Sequence, residues 1–197
     1  MKHTKVIGLT GGVGSGKSAV GRLMVEKFGI TLVVSDEVGH ICMEPGEEAY
    51  RKIVEYFGRE VLDEEQKIDR KKLSEVVFGN EEKLEVLNGI VHPAVRRYIE
   101  QKIMEAKEQQ EPYFVLESAI LLQAGFADIC DEIWYVQVSE QTRRERLKAS
   151  RGYSDEKIDS ILKNQWSDTQ FLEKADKRIW NEGELEEVLQ QIQEMLM

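Results

Sequence analysis

Thr10-Gly-Gly-Val-Gly-Ser-Gly-Lys-Ser18 is the stretch from which the fold of this chain is read. Gly11, four further residues, then Gly16, Lys17 and Ser18 satisfy the G-x-x-x-x-G-K-[ST] pattern of a phosphate-binding loop. The flanks agree with it. Val6-Ile7-Gly8-Leu9 reads as a short buried strand, and Ser18 to Phe28 reads as a helix with Val20, Leu23, Met24 and Phe28 on one side. Each part has a physical task. Glycines let backbone N–H groups turn inward and surround phosphate oxygens. The helix N-terminus adds the positive end of its dipole. Lys17 reaches the β/γ-phosphates and the Ser18 hydroxyl is a Mg²⁺ ligand. The predicted nucleotide site is therefore Gly12, Val13, Gly14, Ser15, Gly16, Lys17, Ser18 and Ala19, and the chain binds a nucleoside triphosphate.

The totals narrow what surrounds that loop. At 197 residues the chain suits one globular domain, or a core carrying a small insertion. A net charge of −10 argues against a general nucleic-acid binder and against an anionic membrane surface, both of which need clustered Lys and Arg. Cys42 and Cys130 stand far apart with no C-x-x-C, which fits a reducing cytosol and excludes a disulfide framework. No signal-type segment or long apolar run is visible, so a cytoplasmic protein is expected, as a monomer or weak homo-oligomer.

Further strands follow in order. Thr31-Leu-Val-Val-Ser35 is a second apolar run ending at Asp36. In parallel α/β sheets functional residues gather at the carboxyl ends of strands. Asp36 is therefore either a carboxylate that takes a hydroxyl proton or organises Mg²⁺, or a helix cap shared with Ser35. From Gly46 to Gln110 charge is dense and apolar residues recur at helical spacing, the pattern of a helical insertion of about residues 46–110 in a core of about 1–45 and 111–197. Within it Pro93 suits the first turn of a new helix, and His92 is a substrate ligand or a packed histidine. Tyr113-Phe-Val-Leu-Glu117 is a third strand ending in an acid that is either placed like the metal-orienting acid of phosphate-loop enzymes or an ordinary strand-end carboxylate. Ile133–Val138 and Arg178–Asn181 are the fourth and fifth strands. Between them lies an arginine-rich helical lid, about residues 141–165, with Arg143, Arg144, Arg146 and Arg151 and with Ser154 capping its second helix. Arginine forks suit the charge of a transferring phosphoryl group, and a closing lid excludes water; the alternative is a solvated helix laced with i,i+4 pairs. The last helix is expected to turn Leu185, Val188, Leu189, Ile192 and Leu196 inward.

Taken together these pieces resemble the dephospho-CoA kinase family over nearly the whole chain. The resemblance is carried by the loop from Ile7 to Ser18, by Asp36, by Ile68-Asp69-Arg70-Lys-Lys-Leu73 and Val77-Phe78, by Leu87-Asn88-Gly-Ile-Val-His92-Pro93, and by Ala175-Asp176 with Asn181-Glu-Gly183. It implies an α/β, three-layer P-loop NTPase fold with a five-stranded parallel sheet, a helical substrate-binding insertion and a lid. It implies ATP and dephospho-CoA as substrates with Mg²⁺, and transfer of the γ-phosphoryl to the ribose 3′-hydroxyl. It implies Asp36, Lys17, Arg146 and Arg151 as catalytic residues. Asp36, Asp69, Arg70, His92, Pro93 and Glu117 are implied on the acceptor side, with Ser18 on the metal, joined through water by Asp36 or Glu117. Two places depart from the family pattern. Glu117 stands where the family has Asp, with Gln123 in place of a glutamate. In the lid, Arg146-Leu-Lys-Ala-Ser150-Arg151-Gly152 has its second arginine one position late. The alternatives are another P-loop small-molecule or nucleoside monophosphate kinase, and a nucleotide switch. A guanine-type switch is disfavoured because no Asn-Lys-x-Asp run exists.

Overall fold

The computed structural model describes residues 4–197. A five-stranded sheet is ordered β2-β3-β1-β4-β5, with β1 Lys5–Thr10, β2 Thr31–Val34, β3 Tyr113–Glu117, β4 Glu132–Gln137 and β5 Lys177–Trp180. β1 runs parallel to β3 and to β4, and β4 runs parallel to β5. Nearly all residues of β1, β3 and β4 are buried, as expected of parallel strands covered on both faces. One face of the sheet presents Ile7, Leu9, Val115, Trp134, Val136 and Ile179. It packs against α1 (Lys17–Phe28) through Val20, Leu23 and Met24, and against α9 (Leu185–Leu196) through Val188 and Ile192. Tyr135 points to the opposite face, where α8 (Asp168–Leu172) stacks Phe171 on it at 4.8 Å.

The chain forms two compact units, one of residues 1–33 and 103–197 and one of residues 34–102. The sequence places the change at Gly46 and Gln110 instead. The first unit holds the sheet, and also α6 (Glu140–Arg151) and α7 (Asp155–Lys163), which make up the arginine-rich segment. Ser154 caps α7, accepting from the Lys157 N–H, as its position after a glycine-containing break suggests. In the second unit are α2 (Ser35–Cys42), α3 (Glu48–Phe57) and α4 (Arg70–Val77), with most of α5 (Glu81–Glu108). Its core is Ile53, Phe57, Val61, Leu62 and Leu73.

Three local expectations are corrected. Pro93 does not open a helix: α5 is one helix of 28 residues with Pro93 inside it. The carbonyl that proline leaves without a helical donor is that of Gly89, four residues before, and the space beside Gly89 is open. Neither Ser35 nor Asp36 is the cap of α2, because the helix starts a residue earlier and Val34 holds that position without a side-chain bond. Leu185 is 54% exposed. It opens α9, where the next residues of the stripe, Val188 and Leu189, already cover the sheet.

Asp69 is the N-cap of α4, and its carboxylate accepts from the N–H groups of Lys71 at 2.9 Å and Lys72 at 3.1 Å. Asp69→Ala is expected to destabilise the protein by about 1 kcal/mol, read as a lowered midpoint in urea unfolding, while Asp69→Asn retains the cap.

Candidate active site

The loop joins β1 to α1 as its spacing requires. Thr10 ends β1, Gly12 to Ser15 form the turn, Gly16 is the N-cap of α1, and Lys17, Ser18 and Ala19 make its first turn. Gly14 and Gly16 have φ of 84° and 86°, a region that side-chain-bearing residues rarely enter. A Cβ on Gly16 would run into the amide of Asn181. So the second motif glycine is required twice, by backbone angle and by the close approach of the β5–α9 connection.

Glu117 ends β3 beside the loop. Its side chain is nearly fully buried, at 2% exposure, and its Oε1 accepts from the Ser18 hydroxyl at 2.5 Å. Its Oε2 has no hydrogen-bond partner although it is buried. An unpaired carboxylate oxygen out of contact with water is costly unless something fills its lone pairs. A hydroxyl and a carboxylate are the hard oxygen donors that suit Mg²⁺, which takes one or two protein ligands and completes its shell with water and phosphate oxygens. Ser18 and Glu117 therefore fit the ion. The described residues contain no group of three His, Cys, Asp or Glu able to hold a metal by themselves.

Helix α6 meets the loop through two arginines, Arg146 and Arg143. Arg146 donates to the Ser15 carbonyl at 3.3 Å and to the Asn181 carbonyl at 2.8 Å. Asn181 in turn donates to the Ser15 carbonyl at 2.7 Å. Glu182 fastens the start of α6 by accepting from Ser139 N–H at 2.7 Å and from the hydroxyls of Ser139 and Thr142 at 2.6 and 2.5 Å. Arg143 is 6% exposed, with Nη2 on Asp168 at 3.2 Å and Nε unpartnered. Asp168 also accepts from Tyr135 at 2.7 Å and Gln137 at 2.9 Å. Burial opposes its charged form. The two hydrogen bonds and the Arg143 charge outweigh that and hold the carboxyl below the usual aspartate range. Burial first, and then the carboxylate beside it, push the Tyr135 phenol up.

Sequence-predicted residues fall into three groups. The structure brings together the loop, Glu117, Arg146 and the Asn181-Glu182 pair. It places Arg151 at the last position of α6, exposed, with its guanidinium 5.9 Å from the Tyr153 ring centroid. Ser150 donates to the Arg146 carbonyl at 2.6 Å. In the second unit Asp36 is exposed in the first turn of α2. Arg70 and His92 line one cavity of about 270 Å³, together with Met43, Leu73, Ser74, Val77, Leu87, Asn88 and Val91. Pro93 is exposed on α5. Sequence reading missed Gln165 and Asp168. Their one local signal is the capping box of Ser167 and Gln170, which marks a helix start and says nothing of the loop.

A phosphate loop between the central strand and the helix it opens, in a parallel sheet with an arginine-bearing helix packed on the loop, defines a P-loop kinase fold. Comparison with known proteins makes the assignment particular. A family model described as dephospho-CoA kinase matches residues 5–187. A dephospho-CoA kinase from Carboxydothermus hydrogenoformans is 38% identical over 187 residues, 95% of this chain and 90% of that protein. One from Bacillus licheniformis is 41% identical over 194 residues, 98% of this chain and 96% of that protein. Of solved structures, a Thermus thermophilus protein superposes with a TM-score of 0.83 at 28% identity, over 99% of this chain and 97% of its own. Shikimate kinase from Bacteroides thetaiotaomicron shares the fold alone, with a TM-score of 0.57 at 16% identity, over 98% of each chain. The chain belongs to the dephospho-CoA kinase family. Among the described residues no helix is long and apolar enough to cross a membrane.

Proposed function

We propose that this protein transfers the γ-phosphoryl group of ATP to the ribose 3′-hydroxyl of dephospho-CoA, the last step of coenzyme A biosynthesis. The observation that carries the reading is the near full-length likeness to dephospho-CoA kinases joined to a regular phosphate loop with Glu117 against Ser18. Backbone N–H groups of the loop that are not already bonded within the protein, as those of Val13 and Ser15 are, surround the phosphates, and Lys17 offsets charge on the β/γ oxygens. Ser18 and Glu117 would hold Mg²⁺, which when bound would neutralise charge on the phosphate oxygens. Arg146 keeps the lid helix against the loop through Ser15 and Asn181. Asp36 receives the proton of the attacking hydroxyl. Arg70 and His92 line the acceptor site. The apolar walls of their shared cavity suit a ring or an alkyl segment, and Arg70 suits a phosphate group. Asp69 and Pro93 act there by shaping α4 and α5. Arg151 is the lid arginine that approaches phosphate on closure. Most of the acceleration comes from positioning and fixed charge, because a loose phosphoryl-transfer transition state asks little covalent help of the protein. A cytoplasmic location fits the two free cysteines.

Incubation with ATP, Mg²⁺ and dephospho-CoA is expected to yield CoA and ADP, identified by mass spectrometry. Phosphorylation of AMP, CMP or gluconate in place of dephospho-CoA would overturn the acceptor assignment and leave the chain a P-loop kinase of another substrate.

A further inference from the structure

The outer side of the phosphate loop is held by a residue outside its motif. The Val13 N–H donates to Gln165 Oε1 at 3.2 Å. The carbonyl just before it, that of Gly12, accepts from the Ser15 N–H at 3.1 Å. The Val13 N–H and the Gly12 C=O belong to one planar peptide unit, so this unit is gripped at both ends. The second bond closes a four-residue turn whose third member, Gly14, has φ of 84°, the angle glycine supplies there. With glycine at positions 12 and 14 the unit has little stiffness of its own. Were it to rotate, the Gly12 carbonyl would leave the Ser15 N–H and the turn that shapes the cradle of N–H groups would open. A side chain that holds the Val13 N–H therefore holds the loop in its anion-binding shape.

Gln165 is well seated for that task. It lies in segment 164–167, between Asn164, which ends α7, and Ser167, which caps α8. Asp168, the first residue of α8, is fixed to β4 by Tyr135 and Gln137 and to α6 by Arg143. The neighbouring Trp166 ring lies 5.6 Å from Phe171, which itself stacks on Tyr135. Gln165 Oε1 and Arg143 Nη1 stand 3.0 and 3.1 Å from where a Cβ on Gly12 would be, so both side chains pack closely against that residue.

We infer that Gln165 is a positioning residue for the nucleotide phosphates, acting through the Val13 amide, with Arg143 beside it. The inference rests on the phosphoryl-transfer reading above. It makes the α7–α8 connection a working part of the nucleotide site, and it ties the shape of the loop to the seat of the lid.

Two variants of the full-length protein separate this role from a structural one. Gln165→Met keeps the length of the side chain and removes the acceptor oxygen, while Gln165→Glu keeps an acceptor at the same reach. ADP affinity is measured by isothermal titration in the presence of Mg²⁺, with both KM values and the thermal midpoint alongside. The Met variant is expected to bind ADP about three- to tenfold more weakly, the effect of one lost hydrogen bond, and to raise KM for ATP equally. Its KM for dephospho-CoA and its thermal midpoint stay at the wild-type values, and the Glu variant recovers most of the ADP affinity. Wild-type ADP affinity in the Met variant, or equal weakness in both variants, would overturn the inference. So would a rise in both KM values together with a lower midpoint, which is a role in folding only. ADP titration needs no acceptor, so its result stands whether or not dephospho-CoA is the substrate.

Discussion

Glu117→Gln is expected to raise the Mg²⁺ concentration needed for half-maximal activity by about 10–100-fold, the usual effect of removing a group that orients a metal's ligands. The substitution is nearly isosteric. Its amide oxygen still accepts from the Ser18 hydroxyl, now at 2.5 Å from Glu117 Oε1, so the strand end and the helix start keep their contact. What is lost is the charge, and with it the second oxygen, which has no protein partner and is buried beside Gly21 of α1. Glu117→Asp keeps the charge on a shorter arm and should lie between the wild type and Gln. Steady-state rates over a Mg²⁺ titration at saturating ATP give the comparison. An unchanged Mg²⁺ requirement in the Gln variant would leave Glu117 as an anchor for Ser18 and place the metal elsewhere. At 2% exposure the site lies within the packed sheet, so thermal melts of both variants accompany the kinetics.

Much of this site is legible in the sequence, because its parts carry local signals. The phosphate loop declares itself by residue type, by spacing and by the strand and helix beside it. Glu117 is found because a β-branched and aromatic run, Tyr113 to Leu116, stops there, and β3 ends at the same residue. Ser154 is found by cap chemistry. What escapes is set by contacts without local cause. Val13 and Gln165 are 152 positions apart, and nothing in the Asn164-Gln-Trp-Ser167 run marks an acceptor for a loop amide. The Arg143–Asp168 pair spans 25 positions and joins two helices whose packing no periodicity predicts. Arg143 reads in sequence as one of several lid arginines, whereas in the fold it is the buried one. Pro93 is misread for a different reason. Proline favours a helix start, but tertiary packing of α5 outweighs the missing hydrogen bond at Gly89, and the helix runs through. Leu185 fits the amphipathic stripe and yet stands at the exposed first turn of α9, where the stripe outruns the sheet that it covers.

Asp36→Asn is expected to lower turnover by about 10²–10⁴-fold, the range of a lost general base, with the affinity for ADP unchanged. Asp36 comes two residues after the end of β2 and sits in the first turn of α2, acidic and exposed, just past the carboxyl end of a strand in a parallel sheet. Since Val34 holds the cap position of that helix, Asp36 has no capping duty that would explain a carboxylate here, and asparagine fits the same space without strain. The variant should therefore melt as the wild type does. The amide can still accept a hydrogen bond from the ribose hydroxyl and so hold the acceptor, but it cannot carry the proton away as the phosphoryl group arrives. KM for dephospho-CoA should thus move little while kcat falls. The control is the Mg²⁺ titration used for Glu117. Should the loss in Asp36→Asn be recovered by excess Mg²⁺, the carboxylate serves the metal and not the proton. Unaltered turnover would remove Asp36 from the reaction altogether. It would leave proton loss to solvent after transfer, the order of events that a loose transition state permits.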